Sequence, residues 1–178
     1  MIILALRIVN QLILGSLSKS MTIVNRCVKV PFRCYPVDMD TNIHMNNACY
    51  FRVAELSRWR IFVPSGLFQY CAKHRVSFIV SETHAKYHAP ILPFQRYIVS
   101  TYITTSDNKW LHYTHRFEQH PDQVAVGKEP KVFAVIGAKS VLKESTGKTV
   151  PISTLLTVFN KEFTDVVRID NDLSLKCK

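Results

Sequence analysis

The sequence predicts an α+β fold in which one long, buried helix precedes a run of antiparallel strands. Three observations predict it. Residues 48–62 carry apolar side chains at helical spacing around most of the circumference, a pattern that belongs to a largely buried helix. Beyond residue 75 the chain turns to β-branched and aromatic runs separated by turn residues. A helix followed by consecutive strands reads as α+β. The 178 residues suffice for one domain with its own core.

The elements follow in order. Residues 1–17 are rich in Ile and Leu, and Arg7, Asn10, Gln11 and Ser18 fall on one stripe of a helical wheel. The run is short for a membrane span and Arg7 interrupts it. A secretory signal places its charge before the apolar run, which this segment does not. Three readings stay open for it: an interfacial membrane helix, a mitochondrial presequence (no acid occurs before Asp38), or a helix packed on its own domain. Residues 1–22 are set apart as this segment. Residues 23–162 are read as the folded domain and residues 163–178 as a polar tail.

Within the domain, Cys27 to Tyr35 reads as a first strand. An irregular loop runs from Pro36 through Asp38, Asp40, Thr41, Asn42 and His44. Asn46 or Asn47 is a good N-cap for the long helix. Pro64 ends that helix, because the residue before a proline avoids the helical region. Arg52, Glu55 and Arg58 form its one polar stripe, read as a possible ion-paired row. A short helix is placed between Ser65 and His74. Strands follow at Val76–Tyr87 and Tyr97–Thr105. A turn at residues 106–109 leads into a strand from Trp110 to Glu118. Residues 121–130 form a polar loop. The last strand spans Lys131–Leu142, broken by Gly137. A terminal helix runs from Pro151, near its start, to Asn160.

Composition narrows the function. Hydrophobic residues make up 47% and charged residues 20%, ordinary for a globular protein. The formal net charge is +10, but the basic residues are scattered. A nucleic-acid binder concentrates them on one element, so no nucleic-acid partner is expected. Dispersed positive charge suits a solvated surface, or attraction for an anionic partner such as a phosphate-bearing molecule or an acidic membrane. The five cysteines form no C-x-x-C pair, so free thiols in a reducing, intracellular compartment are expected, without a disulfide or zinc framework. Cys49 is read as a core residue. His84 and His88 share one face of a strand with Lys86 between them, but no third ligand accompanies them, and no metal is expected. Mitochondrial, membrane-associated and cytoplasmic locations stay open.

The segment Asp38-Met39-Asp40-Thr41-Asn42-Ile43-His44-Met45-Asn46-Asn47 carries the chemistry. It gathers two acids, an imidazole and amides just before a buried helix. A helix start offers unpaired N–H groups and the positive end of the dipole, which can polarise a carbonyl or hold an oxyanion. A carboxylate nearby can attack that carbonyl or activate a water. Thioester hydrolysis requires these two functions, since a thiolate already leaves well.

The segment resembles the hotdog-fold thioesterase family, in the broad class that includes 4-hydroxybenzoyl-CoA thioesterase. The resemblance rests on a D-x-D-x-x-x-H-M-N-N-x-x-Y pattern, here Asp38, Asp40, His44, Met45, Asn46, Asn47 and Tyr50, with Glu55 and Arg58 following. Pro90-Ile91-Leu92-Pro93 is similar to the turn between strands of that fold. The resemblance implies a hotdog fold, with the helix wrapped by a curled antiparallel sheet. It implies a homodimer or higher homo-oligomer that binds acyl-CoA across the subunit interface and serves lipid metabolism. It needs no cofactor, CoA being part of the substrate. Residue by residue, it implies Asp40 as the catalytic nucleophile or general base and His44 as a group positioned near the thioester. Asn46 and Asn47 would shape the loop and bind substrate, Tyr50 would line the acyl pocket, and Asp38 and Glu55 would support from behind. One departure stands out. Many members have glycine where this chain has Ile43, and a β-branched residue tolerates positive φ poorly. The expectation is that the loop differs there, or that its N–H points elsewhere. The leading function is acyl-CoA hydrolysis. The alternative is a non-catalytic hotdog protein that binds acyl chains or a partner at a membrane, to whose surface the N-terminal segment would attach it. A dehydratase using His44 and Glu55 is a third reading, against which the D-x-D loop argues.

Overall fold

The computed structural model describes residues 27–105 and 107–158, together with residues 6, 8–10 and 12–14. The described residues of the N-terminal segment are helical, and Leu6, Val9, Ile13 and Leu14 among them are exposed. No described helix is long and apolar enough to cross a membrane. The expected polar tail lies outside the described residues.

Strand β1 spans Cys27–Arg33, helix α1 Asn47–Phe62, helix α2 Leu67–His74, and strand β2 Val76–Tyr87. Strands β3 (Arg96–Thr105), β4 (Leu111–Gln119) and β5 (Val132–Glu144) follow, and helix α3 covers Ile152–Val158. Short 3-10 turns occur at Pro36–Asp38 and Pro121–Gln123. The strands form one antiparallel sheet in the order β1-β3-β4-β5-β2. It is a hotdog-like α+β arrangement, a central helix on an antiparallel sheet. The sheet is open, with β1 and β2 as its edges among the described residues. Pro31 lies within β1, and an edge strand is where a proline, lacking an N–H, costs least.

The long helix begins as its cap predicts: Asn46 is extended and its Oδ1 accepts the Ala48 N–H at 2.8 Å. Replacing Asn46 with Ala is expected to cost about 1 kcal/mol, read as a lower urea midpoint at unchanged slope. The helix ends at Phe62, two residues before Pro64. The hairpin turn after β3 is held by Asp107, whose Oδ1 accepts the N–H groups of Lys109 and Trp110 at 2.9 Å.

Two expectations fail here. Gly137 does not break β5, which runs through it and pairs it with His84 and Thr114. The missing side chain makes room instead: a Cβ at Gly137 would lie 2.0 Å from His84 Cε1, so the glycine marks a close approach. Nor are all the cysteines free. Cys34, Cys49 and Cys71 are outside any disulfide, but Cys27 is disulfide-bonded. Cysteine spacing along the chain does not reveal which cysteines bridge.

The core splits into two apolar clusters under α1. One gathers Tyr50, Val53, Tyr97, Val99, Phe117 and Ile136. The other holds Ile61, Ile103, Leu111, Tyr113, Ala138 and Leu142. Each inward strand face crosses from the first to the second. At the crossing sit three fully buried polar residues: Ser57 on α1, Thr101 on β3 and His115 on β4. Thr101 and His115 are direct cross-strand partners.

Candidate functional site

The loop before α1 is closed by its own backbone. Asn46 N–H donates to the Asp38 carbonyl at 2.8 Å, Asp40 N–H to the His44 carbonyl at 3.0 Å, and Ile43 N–H to the Asp40 carbonyl at 3.2 Å. Met39 and Met45 form a bridge between the two arms. Met45 is buried, and its N–H donates to the Ile91 carbonyl at 2.9 Å, which ties the loop to the 90–93 turn. The sequence folds this way because the two methionines and Cys49 point into the core while the polar residues between them face out.

Ile43 sits at the tip with φ 57°, a left-handed position that short hairpin loops usually give to glycine. The loop thus holds a β-branched residue at positive φ, at a cost of about 1–2 kcal/mol, and the Ile43 N–H is turned to the Asp40 carbonyl at 3.2 Å. The Ile43 side chain is 65% exposed, so it returns little through burial. Ile43→Gly is accordingly expected to stabilise the fold by about 1 kcal/mol, once glycine's extra freedom in the unfolded chain is subtracted. A higher urea midpoint checks it.

The two loop acids are treated differently. Asp38 is 1% exposed, and its Oδ2 accepts the Tyr35 N–H at 2.9 Å. Asp40 keeps a partly exposed carboxylate. Its Oδ1 accepts the Asn42 N–H at 2.9 Å and lies 3.5 Å from His44 Nδ1. Oδ2 has no hydrogen-bond partner among the described residues. His44 Nδ1 also lies 3.3 Å from the Met45 carbonyl, so one ring nitrogen is shared between two acceptors.

At the helix start, the Ala48 N–H is taken by the Asn46 side chain and the Cys49 N–H by the Asn46 carbonyl. The Asn47 N–H has no partner among the described residues and stands at the exposed first position of the helix. Asp40, His44, Asn46 and Asn47 thus share one closed loop and the helix end it leads into. Tyr50 lies beneath them in the core, its ring edge-on to Tyr87 at 5.2 Å and tilted on Phe117 at 5.1 Å. Burial raises its hydroxyl pKa to about 12, so it stays protonated. Glu55 is not brought to this group. It is eight residues along α1 from Asn47, about 12 Å at 1.5 Å per residue, and is exposed. Within one chain His44 and Glu55 therefore do not meet as the acid–histidine pair of the dehydratase reading.

The polar stripe is not ion-paired: among the described residues Arg52, Glu55 and Arg58 make no salt bridge within 4.0 Å. Arg58 lies over the Tyr113 ring at 5.0 Å instead, and burial pulls its pKa below the usual arginine range. It lines two cavities beside α1. One, of about 390 Å³, is walled by Trp59, Phe62, Phe68, Phe78 and Tyr113. The other, of about 400 Å³, is walled by Phe51, Thr83, His115 and Ile136. Glu55, Arg58 and Val80 line both.

Sequence reasoning missed the buried triad. Thr101 Oγ1 lies 3.0 Å from His115 Nδ1, Ser57 Oγ is 3.5 Å from the same nitrogen, and the Ser57 and Thr101 hydroxyls bond each other. His115 Nε2 is buried without a partner. Burial, aided by the Arg58 charge, pushes this imidazole well below the usual histidine pKa, so it is neutral. A signal was available: His115 is the one polar residue in the inward series Leu111, Tyr113, His115, Phe117. Among the described residues no group of three or more His, Cys, Asp or Glu is placed to hold a metal ion.

Comparison with known proteins agrees with this architecture. The curated protein THEM6 of Xenopus laevis is 29% identical over 82 residues, which cover 46% of this chain and 40% of that protein. The chain thus matches well under half the length of that relative. Among solved structures, the probable thioesterase YbaW of Escherichia coli superposes with a TM-score of 0.64 at 19% identity, covering 75% of this chain and 96% of its own. A hypothetical Staphylococcus aureus protein solved in complex with CoA superposes with a TM-score of 0.64 at 16% identity, covering 89% and 99%. At such identities the likeness is one of fold. The sequence model of the thioesterase-like superfamily matches residues 34–163, and the chain belongs to that superfamily.

Proposed function

We propose that the protein hydrolyses acyl-CoA thioesters at the loop before α1. The observation that carries the reading is the presence, in one closed loop and helix end, of an Asp40 carboxylate oxygen and an Asn47 N–H that both lack partners among the described residues. The N–H, at the positive end of the helix, would receive the thioester oxygen as negative charge develops on it. Asp40 would attack the carbonyl carbon or take the proton from an attacking water, with His44 steadying its other oxygen. The thiolate of CoA leaves with the electron pair of the broken C–S bond and is then protonated; where Asp40 itself attacks, water then opens the mixed anhydride, releasing the fatty acid and restoring the carboxylate. Asn46 holds the helix end in place, and Asp38 ties the loop from behind.

The reading extends to a homodimer. Strand β2 is an edge of the sheet, and Ile79 and Val80 on it are exposed. An unpaired edge with apolar side chains is a template for another strand, and a second copy pairing β2 to β2 would cover both. The test is thiol release from a panel of short, long and aromatic acyl-CoAs, with wild type beside Asp40→Asn. Turnover that disappears in the variant is the expected result. A well-folded wild type silent on every substrate would replace this reading with that of a non-catalytic acyl-binding protein.

A further inference from the structure

Five large apolar side chains stand in solvent around the loop that holds Asp40: Tyr35, Val37, Ile43, Leu92 and Phe94 are between 41% and 65% exposed. Backbone hydrogen bonds gather them. The Phe94 N–H donates to the Cys34 carbonyl at 2.8 Å and the Cys34 N–H to the Gln95 carbonyl at 3.0 Å, which sets the turn at residues 92–95 beside Tyr35. The Met45 N–H, on the Ile91 carbonyl, ties the arm that leads back from Ile43 to the start of the same turn. Gln95 braces the turn: its N–H donates to the Leu92 carbonyl at 3.1 Å, and its Oε1 accepts the Leu92 N–H at 2.9 Å. Phe94 is held there at φ 59°, a left-handed conformation unfavourable to a bulky residue. Among the described residues three besides glycine have positive φ, and two of them, Ile43 and Phe94, are apolar, exposed and on this patch. Neither backbone preference nor burial accounts for their presence. Such outliers point to a contact made outside the chain.

We infer that this patch docks on an anionic lipid surface. Charge argues for it. Lys29 and Arg33 are exposed on β1, which leads directly into Tyr35. No acid precedes Asp38 in a chain of formal net charge +10. Arg96, beside the turn, is paired with Asp122. The acids nearest the patch are Asp38, which is buried, and Asp40, which belongs to the site. Cations beside projecting apolar side chains are the pattern that binds an anionic leaflet, the apolar area sinking in while the charges meet headgroups. A second apolar surface argues for the same occupant. The helical N-terminal residues Leu6, Val9, Ile13 and Leu14 are exposed as well. One lipid surface accepts both, whereas a protein partner needs a complementary pocket for each. Docking would set the Asp40 loop against the bilayer, into which the chains of acyl-CoA partition. That consequence rests on the thioesterase reading; the docking itself does not.

Flotation of the full chain with vesicles tests this without turnover. Vesicles of phosphatidylcholine mixed with phosphatidylserine are expected to carry the protein, phosphatidylcholine alone to carry little, and added salt to weaken the binding. Leu92→Gln combined with Phe94→Asn should raise the lipid needed for half-binding about tenfold, a modest share of what burying two large side chains is worth. Asparagine tolerates the left-handed conformation, so the double variant is expected to fold, and its urea midpoint checks that. Lys29→Gln and Arg33→Gln should each raise the lipid needed about fivefold, and they serve if the turn variant does not fold. Wild type that floats with neither vesicle, or a folded turn variant that binds as wild type does, would overturn the docking surface. So would a wild type that self-associates in sedimentation velocity where the turn variant does not, which would give the patch to a second copy of this chain. Thiol release is measured separately with soluble acyl-CoA, so failure of the docking leaves the thioesterase reading intact.

Discussion

Asp40→Asn is expected to lower kcat for thioester hydrolysis by about 10²–10⁴-fold, the range removed with a general base, while leaving the fold and KM nearly unchanged. The geometry explains why the loss should be so specific. An asparagine keeps an oxygen where Asp40 Oδ1 now accepts the Asn42 N–H at 2.9 Å, so the turn is retained. The second oxygen, which no described residue uses, becomes an amide nitrogen that is neither basic nor nucleophilic. Asp38→Ala, which removes the acceptor, is the control. That carboxyl is buried and accepts the Tyr35 N–H at 2.9 Å, so its variant should lose about 1–3 kcal/mol of stability and keep its rate per folded molecule. Thiol-release kinetics alongside urea titrations separate the two. The opposite pattern, with turnover lost at Asp38 and kept at Asp40, would move the chemistry to the wrong acid for this mechanism.

The elements were legible in the sequence wherever one local rule dominated. Asn46 caps α1, Pro64 lies just past its end, and a β-branched, aromatic run with a turn at residues 106–109 reveals β3 and β4. What remained hidden depends on register between distant strands. Gly137 reads as a breaker along the chain and becomes a slot for the His84 ring only once β2 lies beside β5. Ile43 was visible as a departure, yet its left-handed φ follows from the ladder that joins Asp38 to Asn46 and Asp40 to His44. That ladder overrides the preference of a single residue. The group of Asp40, His44, Asn46 and Asn47 was readable because it is local. Glu55, on the same stretch of sequence, proved remote because a rigid helix carries it away.

The buried triad sets a pH dependence whose sign follows from burial. Ser57 and Thr101 face His115 with hydroxyls, and Arg58 adds positive charge nearby. All of these leave the imidazole neutral in the folded protein. In the unfolded chain it titrates near the ordinary value of about 6.5. Above that value neither state holds the proton, and the neutral histidine's contribution is fully present. As the pH falls below it, the unfolded state binds a proton that the folded state refuses, so stability declines by up to about 1.4 kcal/mol per pH unit from this residue. The loss continues until the depressed folded pKa is reached. His115→Asn does not titrate and should lack this component. Urea titrations of both proteins between pH 8 and 5 therefore should show a stability difference that shifts against the wild type as acid is added. A difference that stays flat over that range would mean that His115 takes up its proton in the folded state as readily as in the unfolded one. The polar layer between the two apolar clusters would then have to be open to water, and the cavity wall that His115 forms would be a solvated surface.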